Sequence, residues 1–119
     1  LQNGGDLMQY PSLVRPQDCK TPIRVRIDRE GISEEGEPLT AFEADLMCNY
    51  QDGAKTVLTA EKKLVQLSGT ALFPGDIAPE IPELSGGTVR VLGMSRRIFQ
   101  GWKARNPDGT VNYTRLDVI

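Results

Sequence analysis

Histidine is absent from all 119 residues. With it go the commonest general base, the commonest zinc ligand and every Ser-His or Cys-His pairing. Asp, Glu, Lys or Tyr can serve an enzyme instead, but none stands in a recognisable catalytic arrangement. Glu34 and Glu35 are merely adjacent, and nothing assembles a nucleophile, a base and an oxyanion donor. Cysteine is nearly absent as well: Cys19 and Cys48 lie far apart with no partner at metal-ligand spacing. Without a secretory pattern they are expected to be free thiols rather than a disulfide. No apolar run approaches the roughly 20 residues of a membrane span, so a soluble, unsecreted chain with no membrane contact is expected. Asp76 and Asp108 each sit beside a glycine, yet the spaced aspartates and terminal Glu of a calcium loop are missing. Ser68-Gly69-Thr70 and Ser85-Gly86-Gly87 lack the Gly-Lys-Ser/Thr ending of a phosphate loop. The expectation is a non-enzyme with no cofactor.

Turn residues are plentiful. Twelve Gly and eight Pro favour short strands over long helices, and the length suits one domain. The clearest local signal is Asn106-Pro107-Asp108-Gly109. Pro107 pre-sets φ for a type I turn, Asn106 can cap it, and Gly109 supplies the positive φ of a following bulge. The flanks, Arg97–Arg105 and Thr110–Ile119, carry β-branched and aromatic residues as hairpin arms. Alternation puts Ile98, Trp102 and Ala104 on the inner side of the first arm, with Arg97, Lys103 and Arg105 outside. In the second arm Val111 and Tyr113 are out of phase with Leu116 and Val118, which calls for a register shift near Thr114 or for cover on both faces.

Earlier in the chain, residues 1–22 read as an extended lead-in and 23–119 as a single β domain. Ile23–Asp28 alternates apolar with charged residues as a half-buried strand does. Arg29–Pro38 is a loop carrying Glu30, Glu34, Glu35 and Glu37. Residues 39–51 fit a helix stripe of Leu39, Phe42, Leu46 and Tyr50. They also fit a strand face of Phe42, Ala44, Leu46, Cys48 and Tyr50, which aligns five residues and is preferred. Asp52-Gly53 then reads as a turn before a further strand, Thr56–Thr59, and Leu64–Ser68 as the next. Phe73–Gly87, with Pro74, Pro79 and Pro82, is a long connection, and Thr88–Leu92 resumes the sheet. The total is about seven short strands with long loops: an all-β small barrel or sandwich.

The net charge of -2 hides an asymmetry. Residues 86–119 hold Arg90, Arg96, Arg97, Lys103, Arg105 and Arg115 against Asp108 and Asp117, a formal +4, which leaves -6 for residues 1–85. A uniformly basic nucleic-acid binder is not patterned this way. A molecule meeting neighbours of opposite sign on two sides is, as is ordinary scattered surface charge.

Two stretches, Leu67–Pro79 (LSGTALFPGDIAP) and Lys103–Thr114 (KARNPDGTVNYT), resemble the small head-tail connector proteins of tailed bacteriophages and prophages, of the head-closure (stopper) or minor capsid type. The resemblance covers Ile23–Ile119. It implies a small β-barrel without catalysis that self-associates as a ring between the portal-adaptor complex and the tail. It further implies residence in the virion, with the bacterial cytoplasm as the place of assembly, and a loop that touches packaged DNA transiently. On that reading the acidic residues Glu30, Glu34, Glu35 and Glu37 are candidates for the channel side. Pro74, Asp76, Pro79, Pro82, Arg97, Lys103 and Arg105 are candidates for partner binding. The alternative is an oligonucleotide-binding small barrel that uses the basic, aromatic arm Arg97–Arg105.

Overall fold

A computed structural model describes residues 11–32, 34–36, 38–82, 84 and 86–119. The chain is all-β. Six antiparallel strands close into a barrel in the order β1-β2-β3-β6-β5-β4: β1 Thr21–Ile32, β2 Pro38–Leu58, β3 Leu64–Pro74, β4 Gly87–Val91, β5 Met94–Arg105 and β6 Val111–Val118. There are six rather than about seven because β2 runs 21 residues without a break. Asp52-Gly53 is not a turn. The β2–β3 register slips between Asp52 and Lys55, so the glycine serves a bulge inside one continuous strand. Among the described residues no helix is long and apolar enough to cross a membrane.

Strand pairing follows the hydrophobic pattern. Ile23, Val25 and Ile27 of β1 stand opposite Leu46, Ala44 and Phe42 of β2, and all but Ala44 belong to one apolar cluster. The inward face of β2, with Phe42, Ala44, Leu46, Cys48 and Tyr50, is the one that the strand reading of residues 39–51 requires. Leu67, Ala71 and Phe73 from β3, Val89 and Val91 from β4, and Leu116 and Val118 from β6 complete the interior. Phe73 is 1% exposed, and burying a side chain of that size contributes roughly 1.5–3 kcal/mol. The Asn106–Gly109 turn forms as its residues dictate. Gly109 donates its N–H to the Asn106 carbonyl at 2.9 Å and has φ +90°.

The phase of the terminal hairpin differs from simple alternation. The ladder shifts twice. Near Thr114, as expected, Ala104 pairs with Tyr113 but Arg105 with Val111, so Asn112 is an extra residue in β6. The shift that sets the faces lies in β5, where Ile98 pairs with Val118 but Gln100 with Asp117, so Phe99 is an extra residue. Beyond it the faces exchange from Gly101 to Lys103. Gly101 and Lys103 turn inward and Trp102 turns outward, where it is 40% exposed. In β6 Asn112, Thr114, Leu116 and Val118 are buried in one unbroken phase, and Val111 and Tyr113 point outward. The expected burial of Trp102 and exposure of Lys103 are thus both reversed.

The long connection is placed by topology. In the closed order β3 and β4 stand on opposite sides, two strands apart either way round. β3 ends at the mouth where β4 begins, and the described residues between them, 75–82, 84 and 86, lie across that opening. Ala78 and Leu84 are buried, with Ile77 and Ile81 packed beside the core. The crossing therefore acts as a lid. The lead-in is also docked where it is described. Asn112 accepts the Leu13 N–H at 2.8 Å and donates to the Pro11 carbonyl at 3.0 Å, while Val14 and Cys19 are buried.

Candidate interaction surfaces

Four features stand out. The first is the fastening of the lid. Lys103 reaches inward from β5, 4% exposed, and its ammonium has three partners. These are the Asp76 carboxylate at 2.9 Å, the Ala78 carbonyl at 2.8 Å and the Ile81 carbonyl at 2.6 Å. Asp76 also accepts the Ala78 N–H at 3.0 Å, and Thr114 donates to the Gly75 carbonyl at 2.7 Å. All three ammonium protons are matched, which is what a buried lysine requires. Gly101 makes room for the same lid: a Cβ there would lie 2.9 Å from that of Leu84.

The second feature is a tryptophan platform on the outer face. The Arg115 guanidinium lies over the Trp102 ring, 4.6 Å from its centroid. Asp117, 1% exposed, fixes Arg115 by accepting its Nε–H at 3.0 Å, and also accepts from Thr70 and Gln100. A rigid, half-covered tryptophan beside arginine is the composition of a binding hot spot.

The third is a two-stranded ribbon. The last β2 residue paired to β1 is Cys48, and the first β3 residue paired to β6 is Gly69. Past those points Lys55–Leu58 pairs only with Leu64–Leu67. The tip is a hydrogen-bonded turn in which the Thr59 carbonyl accepts from Lys62 and the Thr59 N–H donates to the Lys63 carbonyl. It carries two bare leucines, Leu58 at 65% and Leu64 at 74% exposed. The fourth is a groove of about 800 Å³ near the β4–β5 turn, lined by Pro22, Ile23, Leu46, Met47 and Leu92 and rimmed by Arg24, Asp45 and Arg90. Arg24 bridges Glu43 and Asp45, which hold its guanidinium in the charged form.

The sequence-predicted residues do not form one surface. Asp76 and Lys103 meet, but inside the lid, so Lys103 is consumed within the chain; the Phe99 bulge is the cause. Pro74 ends β3, and Pro79 and Pro82 lie exposed on the lid. Arg97 and Arg105 are exposed at separate levels of β5, and Arg105 donates to the Gly109 carbonyl at 2.7 Å. Glu34 and Glu35 are exposed in the turn between β1 and β2. The Glu30 side chain and Glu37 lie outside the described residues. Sequence reasoning missed the ribbon and the groove, since both depend on where strands stop pairing. Among the described residues no group of His, Cys, Asp or Glu is placed to hold a metal ion. Both cysteines are free thiols in buried positions, and burial pushes the Cys48 thiol up to about 12. No protein-family model matches the chain, and no curated protein matches it significantly.

Proposed function

We propose that this protein is a structural component of a tailed-phage or prophage particle. It would assemble as a ring at the head-tail junction, join the portal-adaptor complex to the tail and help retain packaged DNA. The role is architectural rather than catalytic. One observation carries the reading beyond the sequence resemblance: the barrel closes on itself and spends its longest loop as its own lid, while a preformed ribbon with bare leucines stands clear of the body. That shape offers neighbours a protruding element, as a ring protomer needs. The acidic turn holding Glu34 and Glu35 sits at the start of β2, at the opposite end of that strand from the ribbon tip, and is assigned to the DNA channel. The test is to tag the chain in its encoding element, purify particles and locate the tag by electron microscopy. Label at the junction is expected; full particles devoid of the protein would refute the role.

A second reading is favoured by the outward turn of Trp102. An exposed indole beside Arg115 could stack a nucleobase, as single-strand-binding barrels do. Asp117 counters the Arg115 charge and weakens any phosphate attraction. Binding of single-stranded DNA that falls steeply with salt and vanishes in Trp102→Ala would favour this reading over the first.

A further inference from the structure

We infer that the ribbon of one copy seats its leucine-bearing tip in the Pro22–Met47–Leu92 groove of a second copy, so that the chain associates head to tail. This deepens the ring-assembly part of the proposed function and rests on it. Of the seven large apolar side chains exposed among the described residues, four belong to these two places: Leu58 and Leu64 on the tip, Met47 and Leu92 at the groove. One is a protrusion and the other a concavity, each without cover in the single chain.

The tip cannot fill its own groove. Met47 lies eleven residues before Leu58 along one continuous strand, a separation of about 35 Å at the usual rise per residue. The Thr59–Lys63 hydrogen bonds hold the tip closed at that distance. Its occupant site must therefore come from another molecule. A second copy fits on charge. The tip carries Glu61, Lys62 and Lys63, and the groove presents Arg90 for the glutamate and Asp45, paired with Arg24 at 2.8 Å yet 77% exposed, for a lysine. An isolated two-stranded ribbon is marginal in water, so seating its leucines also supplies the third layer it lacks. Because tip and groove are different patches, the contact is heterologous: it propagates and must close as a ring or run on as a filament.

Two exposed-surface variants separate the partners. Leu58→Asp/Leu64→Asp keeps the groove and loses the tip; Met47→Asp/Leu92→Asp keeps the tip and loses the groove. Masses are read by light scattering across a concentration series, with circular dichroism to confirm each fold. The wild-type 13.1 kDa chain should gain mass with concentration beyond a dimer, and each variant alone should stay monomeric. An equimolar mixture of the two should rise to twice the monomer mass and stop, since only one productive contact remains. A wild type that stays monomeric at the highest soluble concentration overturns the contact. So does a tip variant that assembles like the wild type; that result leaves the virion role standing through other surfaces. Arm-in-groove pairing by a protein absent from particles would keep this contact and remove the virion role instead.

Discussion

Lys103 and Asp76, 27 residues apart, meet at 2.9 Å across the mouth of the barrel, and the lysine keeps only 4% of its side chain exposed. This pair, with two lid carbonyls on the same ammonium, ties the irregular crossing to the sheet. Lys103→Met should remove the tie while nearly preserving shape. It strands a largely buried carboxylate and two carbonyls, so a loss of about 3 kcal/mol is expected, read as a lower urea midpoint. Asp76→Asn should cost less, because Nζ keeps both carbonyls. An inverted order would show that the lid is held by Asp76 and its own turn rather than by Lys103.

Trp102→Ala should cost only about 1 kcal/mol, the scale of an exposed ring with one stacked cation. A buried tryptophan would cost about 3–5 kcal/mol. Urea unfolding distinguishes the two, and a loss in the larger range would mean that the indole is covered in solution.

The different fates of Trp102 and Lys103 show where the sequence stops being legible. Alternation is a sound guide within one uninterrupted strand, and β1, β2, β3 and β6 obey it throughout their buried spans. A single extra residue at Phe99 inverts it, and no local propensity announces that residue. The nearest signal is Gly101: a glycine inside a strand often marks a bulge or a close backbone approach, and here it marks the close approach, two residues past the bulge. Asp52-Gly53 reads as a turn and proves a bulge, since turn and bulge draw on the same residues. The ribbon and groove were out of reach, because they are defined by where pairing with β1 and β6 ends. That is a property of register between distant segments.

Gly101→Ala tests the close approach. The added methyl would lie 2.6 Å from Leu116 Cδ2 and 2.9 Å from Leu84 Cβ. The leucine tip can yield, but the lid residue can yield only by lifting. We expect a loss of about 1–3 kcal/mol, in the range for overpacking, together with faster amide exchange in residues 76–82. Unchanged exchange there would show that the lid does not lean on Gly101.

Cys48 should give the alkaline limb of stability a distinct component. Burial, reinforced by nearby Cys19, raises its thiol to about 12, against about 8.5 in an unfolded chain. The folded state thus holds this proton more tightly. Its stabilising share is fully present below the unfolded value and is lost as pH climbs from there to about 12. Cys48→Ala should therefore lose less stability than the wild type over that interval, although it starts lower from its cavity. Parallel pH profiles would show the thiol to be accessible to water. In the native protein at pH 8, reaction with a thiol reagent should proceed only as fast as the chain opens.

The acidic turn provides the prediction closest to function. Glu34 and Glu35 are exposed, so Glu34→Lys/Glu35→Lys should leave the isolated fold within about 0.5 kcal/mol of the parent. In particles the outcome depends on where the turn points. Carboxylates on a channel wall repel phosphate and let the genome slide; ammonium groups would hold it. Screening limits either effect to about 8 Å at physiological salt, so only a turn close to the DNA can matter. The double variant should assemble normally yet release DNA more slowly, with most of the delay removed by raising the salt. Release at the parental rate at low salt would place the turn away from the channel. The same delay at all salt concentrations would mean that the new side chains obstruct the channel by bulk, with charge playing no part.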